Sequence, residues 1–390
     1  MTYDFDRIVE RRDTDSNKWR KYGPDVLPLW VADMDFPSPE PVVQALRERV
    51  EHGVFGYGYP VETVTPLQEV FAARLARLYG WRVSPEAVVL VPGVIPGFNV
   101  AARAFAGAGD GVLLKLPLYP PLLRVPGNVG LTMDAADLTR SGDGRYEIDF
   151  DALARAVTPR TRFLMLCNPH NPVGRVWRRE ELERMAELCL VRGLAIVADE
   201  IHSDLVFSGH RHTPIAALVP EIAARTITLM APSKTWNLAG LKCGLAVIPD
   251  AALRQTFVTA RGDMVHTVNI LGYTAALAAY RDGQPWLDAL LPYLEANRDV
   301  VVDYARKHLP GVVVAPPEGT YLAWLDCHEA GIPGGDPFTF FLERARVALN
   351  DVATFGRGGA GFVRLNFATP RAILAEGLDR MRDALAASRG

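Results

Sequence analysis

Residues 162–199 read RFLMLCNPHNPVGRVWRREELERMAELCLVRGLAIVAD. Two short apolar runs in this stretch, Arg162–Cys167 and Leu194–Ala198, predict buried β-strands. Between them, Glu180–Arg192 carries apolar residues at helical spacing, and Gly193 follows as a natural helix stop. The order strand, helix, strand predicts a βαβ unit whose two strands are parallel.

Four further apolar runs extend this pattern on both sides of the unit. In chain order they are Ala87–Val91, Val112–Leu116, Thr226–Met230 and Leu245–Ile248. Short apolar runs that alternate with amphipathic stretches are typical of an α/β fold built on a largely parallel sheet. We therefore predict a large domain with such a sheet over residues 51–284.

The sequence pattern changes after residue 284. Trp286–Leu309 predicts one long helix, and two short strands are predicted at Thr320–Leu325 and Gly361–Phe367. The first 50 residues contain no βαβ unit. We therefore predict a smaller α+β domain that consists of residues 1–50 together with residues 285–390.

Composition excludes several classes of protein. The chain has 390 residues, of which 49% are hydrophobic and 22% charged, and this balance excludes intrinsic disorder and fibrous repeats. The formal net charge of −3 gives no basic surface for nucleic acid or an anionic membrane. The N-terminus, MTYDFDR, lacks the apolar core of a secretory signal, so we expect a cytoplasmic protein with no membrane-spanning segment.

The four cysteines are far apart in the sequence and include no C-x-x-C pair. They suggest neither a disulfide framework nor a zinc site, and we expect no metal. We interpret all four as reduced and mostly buried thiols, at positions Cys167, Cys189, Cys243 and Cys327.

Polar side chains follow three of the predicted strands at the point where each strand ends. Asn171 follows the strand Arg162–Cys167, Asp199 ends the run LAIVAD, and Lys234 follows Thr226–Met230. Ligands of α/β sheets bind in the crevice beyond the carboxyl ends of the strands. A desolvated carboxylate such as that of Asp199 needs a cationic or hydrogen-bonding partner.

Each of these residues has a structural interpretation when it is taken alone. Lys234 could simply open a helix after a strand, Asp199 could cap the next helix, and the Asn-Pro pairs around Asn171 suit a turn. The three residues together, in this order, favour a shared binding site.

The arrangement resembles fold-type I pyridoxal-5′-phosphate enzymes, the aspartate aminotransferase superfamily. Six blocks of sequence are similar to the MalY/PatB group of cystathionine β-lyases, and the resemblance extends from about Phe5 to Arg371. These blocks are WVADMDF at 30–36, PGVIP at 92–96, CNPHNPVGRVW at 167–177, DEIHSDL at 199–205, SKTWNLAGL at 233–241 and PEGTYL at 317–322. The resemblance implies an aspartate aminotransferase-like fold with pyridoxal 5′-phosphate as cofactor.

The resemblance implies a role for each residue around the cofactor ring. Lys234 is the Schiff-base lysine and the group that moves the Cα proton of the substrate. Asp199 pairs with the pyridine nitrogen, and Asn171 donates a hydrogen bond to the 3-oxygen of the ring. Tyr119 stacks on the ring face. His202 is a further cofactor contact, where aminotransferases often have Tyr, and this difference favours the lyase branch.

The cofactor phosphate needs backbone donors and cations. Gly93, Val94 and Ile95 lie between the strand Ala87–Val91 and a helical stretch, where free amides can bind an anion. Ser233 and Lys242 are expected to complete this site, although many aminotransferases have Arg at the position of Lys242. Tyr57 resembles the tyrosine that reaches the phosphate of the neighbouring subunit, so we expect a homodimer with shared active sites.

Substrate recognition is expected at two positions. Arg364 resembles the arginine that binds the α-carboxylate of an amino acid, which is a bidentate task. Ala32, in the block at 30–36, is expected to contact the same substrate.

The function implied by the resemblance is β-elimination from an S-substituted L-cysteine such as cystathionine or a cysteine conjugate, with release of a thiol, pyruvate and ammonia. The alternative is an aminotransferase that acts on an L-amino acid and a 2-oxo acid. A regulatory protein that binds a partner is a third possibility, and the complete catalytic set argues against loss of catalysis.

Overall fold

The computed structural model describes residues 3–59 and 63–389 of the chain. Within these ranges the strands are, in chain order, β1 Leu27–Pro28, β2 Val88–Val91, β3 Gly111–Leu116, β4 Thr132–Asp137, β5 Thr139–Arg140, β6 Tyr146–Glu147, β7 Thr161–Cys167, β8 Ala195–Asp199, β9 Thr226–Met230, β10 Gly244–Val247, β11 Val313–Val314, β12 Leu322–Asp326, β13 Val347–Ala348, β14 Asn350–Asp351 and β15 Phe362–Asn366.

The α-helices of the same ranges connect and cover these strands. They are α1 Asn17–Arg20, α2 Glu40–His52, α3 Pro66–Tyr79, α4 Val94–Phe105, α5 Pro120–Asn128, α6 Phe150–Ala156, α7 Arg179–Arg192, α8 Pro220–Ala223, α9 Pro232–Thr235, α10 Ala251–Arg261, α11 Ile270–Asp282, α12 Gln284–His308, α13 Pro337–Glu343 and α14 Arg371–Ala387. None of these helices combines the length and the apolar character that a membrane crossing requires.

A seven-stranded sheet forms the centre of the fold, in the order β2-β10-β9-β8-β7-β3-β4. Strand β10 is antiparallel to both of its neighbours, and the other six strands run in one direction. Strand β9 is buried along its whole length and β7 at every residue except Arg162, which agrees with near-continuous apolar sequence in strands covered on both faces. This is the aspartate aminotransferase-like fold that the sequence predicts.

The six strands predicted in this sheet are confirmed to within one residue at each end. The seventh strand, β4, was not predicted. Its side chains are mostly exposed or half-buried because it lies at the edge of the sheet, and its sequence TMDAAD carries two aspartates. An edge strand of this kind lacks the apolar run by which the others are recognised.

A second, antiparallel sheet has the order β11-β12-β15-β14. The N-terminal segment reaches this part of the chain, since β1 pairs in parallel with β13. The largest apolar cluster contains residues from Phe5 to Leu385 and includes both the N-terminal segment and the large-sheet strand β10. Residues on both sides of the predicted boundary at 284 therefore pack in one core.

Candidate active site

The three predicted strand-end residues follow adjacent parallel strands. Cys167 of β7 lies opposite Asp199 of β8, and Asp199 lies opposite Leu229 of β9. The carboxyl ends of these strands therefore lie side by side. Asn171, Asp199 and Lys234 consequently enter one crevice at the same edge of the sheet.

Lys234 belongs to the short helix α9, which begins two residues after β9 ends. Its Nζ donates a hydrogen bond to the Ala32 carbonyl oxygen at 2.6 Å. Burial lowers the pKa of Lys234 to about 8. About a tenth of the amine is therefore neutral at pH 7, far more than for an ordinary lysine, and the neutral amine is the nucleophilic form.

Asp199 is the last residue of β8 and is 4% exposed. Its Oδ1 accepts a hydrogen bond from the Ile201 N–H at 3.2 Å. Burial raises the pKa of Asp199 to about 7, although the positive charge of Lys234 acts in the opposite direction. Such a carboxyl group is stabilised in its ionised form by a cation placed against it, and a protonated ring nitrogen is a cation of this kind.

Arg364 lies on β15 and is 2% exposed. Its Nη1 donates to Asn171 Oδ1 at 2.8 Å, and its Nη2 donates to Asn350 Oδ1. Burial lowers the pKa of Arg364 to about 10, and the group stays charged at neutral pH. Its buried Nε has no acceptor among the described residues, which leaves a donor for an anionic ligand.

The Asn171 side chain contacts Arg364 through one end of its amide and leaves the other end open to the crevice. Its carbonyl oxygen is occupied by Arg364, while its amide hydrogens have no acceptor within the described part of the chain. An amide in this orientation can donate to a ring oxygen while it holds the arginine in place.

Tyr119 precedes helix α5 and is partly buried. Burial raises the pKa of Tyr119, and the charges of Arg364 and Asp199 act on it as well. The phenol is therefore neutral and lies within electrostatic reach of both residues. Stacking of Tyr119 on the cofactor ring stays a prediction.

His202 is 2% exposed, and its Nδ1 has no hydrogen-bond partner in the described ranges. Its ring packs edge-on against Tyr321 with 5.9 Å between centroids. Burial lowers the pKa of His202 well below its usual value. The ring is therefore neutral, and its contact with the cofactor stays a prediction.

The predicted phosphate end of the site lies around the start of β10. Gly244 is opposite Val91 of β2, and Leu245 is opposite Met230 of β9, so the loops after β2 and β9 flank this point. Gly93 has φ of 150° at the N-terminus of α4. A Cβ on Gly244 would lie 3.1 Å from the carbonyl carbon of Gly93, so a larger residue would push the Gly93 backbone away by a few tenths of an ångström.

The residues predicted to bind phosphate differ in their exposure. Val94 and Ile95 lie in the first turn of α4, where backbone N–H groups have no intrahelical acceptor. Ser233 is partly buried beside Lys234, whereas Lys242 is exposed and has φ of 54°. The geometry therefore fits an anion at the α4 N-terminus. The contribution of Lys242 stays a prediction.

Tyr57 is fully exposed. It lines a surface cavity of about 1100 Å³ together with Tyr59, Arg254 and Tyr273. None of the strand-end residues lines this cavity. The contact of Tyr57 with the phosphate of a neighbouring subunit stays a prediction.

Ala32 lies in the segment Trp30–Phe36, called the strap below. Its carbonyl accepts from Lys234, and its N–H has no acceptor among the described residues. Residues that sequence reasoning missed hold the strap and Arg364 in place: Asn350, Tyr321 and Asn366. They belong to the second sheet or the loop before it, and no pattern in the sequence indicates that they meet the strand ends.

Comparison with known proteins identifies the family. The family model "Aminotransferase class I and II" matches residues 24–381. Cystathionine beta-lyase PatB of Bacillus subtilis is 39% identical, over 98% of this chain and 99% of that protein. The crystal structure of cystalysin from Treponema denticola, which contains a pyridoxal 5′-phosphate cofactor, has a TM-score of 0.94 at 31% identity, with both chains fully covered.

A third match is the crystal structure of OvoB, with a TM-score of 0.93 and 42% identity over 99% of this chain and 100% of that one. The family model and these relatives each span nearly the whole chain. The chain belongs to the aminotransferase class I and II family.

Proposed function

We propose that this chain is a pyridoxal-phosphate-dependent carbon–sulfur β-lyase that cleaves an S-substituted L-cysteine to a thiol, pyruvate and ammonia. The observation that carries the proposal is the convergence of Lys234, Asp199 and Arg364 on one crevice, where burial moves the pKa values of Lys234 and Asp199 toward neutral pH while Arg364 stays charged. The names of PatB and of other relatives called cystathionine β-lyase or putative cystathionine β-lyase, at 35–40% identity, support the reaction type.

The cofactor fits the polar groups of the crevice, of which the Asn171 amide hydrogens and His202 Nδ1 have no partner among the described residues. Lys234 would hold its aldehyde carbon, Asp199 its ring nitrogen and Asn171 its 3-oxygen. The first-turn amides of α4 and Ser233 would hold the phosphate. When bound, the cofactor supplies an electron sink for the bond electrons released at Cα.

Substrate binding is assigned to Arg364 and Ala32. The guanidinium is fixed by Asn171 and Asn350, so it meets the α-carboxylate without first ordering its own side chain. The Ala32 N–H supplies a second donor. The charge of Arg364 and this amide together orient the Cα–H bond toward Lys234.

Lys234 carries the proton in this proposal. Its amine accepts the α-proton, the Cβ–S bond breaks with its electron pair on sulfur, and the thiolate takes up a proton. The remaining 2-aminoacrylate reacts with water to give pyruvate and ammonia. The pKa of Lys234 near 8 suits a group that must accept and return a proton close to neutral pH.

We also propose a homodimer in which Tyr57 reaches the partner's phosphate site. Support comes from the full exposure of Tyr57 and from exposed Val54, Phe55 and Tyr59 beside it. A large apolar surface of this kind is typical of a subunit interface. The enzyme is assigned to the cytoplasm, where four buried cysteines without disulfides are the usual state.

The test uses a panel of S-substituted L-cysteines with the purified holoenzyme. We expect equal amounts of pyruvate and free thiol, and no product from Lys234→Ala. The matched control is Lys307→Ala, which removes an exposed lysine of α12 that is distant in sequence from the site. Borohydride reduction followed by peptide mass spectrometry is expected to place the cofactor adduct on Lys234. An adduct on another lysine contradicts the site assignment.

A further inference from the structure

The strap is held by its backbone carbonyls from both sides of the crevice. Asn366 Nδ2 donates to the carbonyls of Val31 and Asp33, each at 2.7 Å. Asn237, three residues after Lys234, donates to the carbonyls of Met34 and Phe36. The strap therefore joins the element that carries Lys234 to the strand that carries Arg364.

The Ala32 carbonyl accepts two hydrogen bonds in this arrangement. Lys234 Nζ donates to it at 2.6 Å, and the Tyr321 hydroxyl donates to it at 3.1 Å. Ala32 is 7% exposed and Tyr321 is completely buried. Solvent therefore has little access to this carbonyl, and the two side chains supply its donors.

The two donors differ in what happens to them when the cofactor binds. Attachment of Lys234 to the cofactor aldehyde would use the nitrogen that now donates to the Ala32 carbonyl, so this hydrogen bond would be lost. A buried carbonyl that loses its last donor is strongly destabilised. Tyr321 can remain in place throughout, because its hydroxyl takes no part in that bond.

We propose that Tyr321 is a positioning residue that keeps the Ala32 carbonyl hydrogen bonded while Lys234 is attached to the cofactor. The same bond fixes the Ala32 peptide group and therefore the substrate-facing side of the strap. The proposal rests on the role of Lys234 proposed above. It assigns a part in cofactor binding to Tyr321, which directly precedes β12 of the second sheet.

The backbone next to Tyr321 provides a second, independent observation. Thr320 has φ of 70°, which is an outlier for a β-branched residue. Its N–H donates to the Leu205 carbonyl at 2.7 Å, and its Oγ1 accepts from the Leu322 N–H at 3.1 Å. Strained residues persist where the surroundings enforce them and cluster at functional sites. Here the strained residue sets the direction of Tyr321 toward Ala32.

The first experiment measures cofactor affinity rather than turnover. Tyr321→Phe removes the hydroxyl and little else, and the dissociation constant for pyridoxal 5′-phosphate is measured by equilibrium dialysis of the full chain. We expect binding to weaken about tenfold, which corresponds to about 1.4 kcal/mol. The control is Tyr304→Phe, which removes a hydroxyl that donates to Asp379 on α14, and its affinity is expected to be unchanged.

The second experiment is a double-mutant cycle in urea on the cofactor-free chain, with Tyr321→Phe, Lys234→Met and the double variant. Each single variant leaves one donor on the Ala32 carbonyl, and the double variant leaves none. We therefore expect the double variant to be less stable than the two single variants predict by addition. Its unfolding equilibrium constant is expected to exceed the additive value by a factor of about ten.

Two results would overturn the proposal. One is unchanged cofactor affinity in Tyr321→Phe when mass spectrometry still places the adduct on Lys234. The other is strict additivity in the urea cycle. An adduct on a residue other than Lys234 contradicts the proposed function together with this proposal. An adduct on Lys234 with unchanged cofactor affinity contradicts only the role of Tyr321, so the two failures are distinguishable.

Discussion

Replacement of Asp199 by asparagine tests the electrostatic part of the site. The carboxyl group is 4% exposed and has one backbone donor, the Ile201 N–H, among the described residues. Its pKa of about 7, against an ordinary value of 3.8, means that the site disfavours the unpaired carboxylate by about 4 kcal/mol. A cation on the cofactor ring would have to offset this cost when it pairs with Asp199.

The magnitude of the effect follows from what asparagine retains. Its neutral amide keeps a hydrogen bond to the ring nitrogen but loses the charge interaction, so we expect a loss of about 3 kcal/mol of transition-state stabilisation. This corresponds to about a hundredfold lower kcat/KM. The assay measures pyruvate formation from L-cystathionine. Circular dichroism checks separately that the variant is folded.

The control for this variant is Asp137→Asn, which removes an exposed carboxylate at the end of β4 that pairs with Arg357. We expect its kcat/KM to stay within twofold of the wild-type value. If Asp199→Asn also retains kcat/KM within threefold, Asp199 acts only as a local backbone acceptor and the argument from its burial is refuted.

Three further changes have defined outcomes. Arg364→Lys keeps the positive charge but loses the planar fork, so KM for the amino acid is expected to rise about tenfold with a smaller change in kcat; an unchanged KM would exclude Arg364 from carboxylate binding. Burial lowers the pKa of Lys115 to about 8 from 10.5, and its Nζ has no partner among the described residues. The unfolded chain thus holds this proton more tightly than the folded chain, so the stability of the wild-type protein rises between about pH 8 and pH 10.5. Lys115→Met removes the buried charge, and we expect its free energy of unfolding in urea to exceed that of the wild type by about 3 kcal/mol at pH 7. Above pH 10.5 this difference is expected to disappear. An equal gain at both pH values would contradict this assignment. Mixing Tyr57→Phe with Lys234→Ala subunits is expected to restore about a quarter of wild-type activity, because about half of the dimers are hybrids and each hybrid has one intact site of two. No recovery after confirmed subunit exchange would place both residues in the same chain's site.

The strands of the large sheet could be predicted because most of them are buried on both faces and therefore form apolar runs. Strand β4 escaped because it lies at the edge with exposed aspartates. Helices α7 and α12 were predicted to within two residues because their apolar spacing and the residues after them mark their ends.

Some residues of the candidate site could likewise be predicted from the sequence, and others could not. Asn171, Asp199 and Lys234 could be found because each follows a recognisable strand, and parallel strands bring their carboxyl ends together. Asn350 and Tyr321 could not, because they meet the crevice only after a separate antiparallel sheet has packed against it. Their role depends on tertiary contacts such as that between Tyr321 and Ala32, which are 289 residues apart in the sequence.

The most direct test of the central claim is the fate of the amino group of L-cystathionine when the holoenzyme acts on it. Thiol, pyruvate and ammonia are quantified together with the absorbance of the cofactor, with and without an added 2-oxo acid. We expect thiol and pyruvate in equal amounts at a rate that does not depend on the 2-oxo acid. Accumulation of the amine form of the cofactor, turnover only when a 2-oxo acid is present and no thiol would show instead that the enzyme is an aminotransferase.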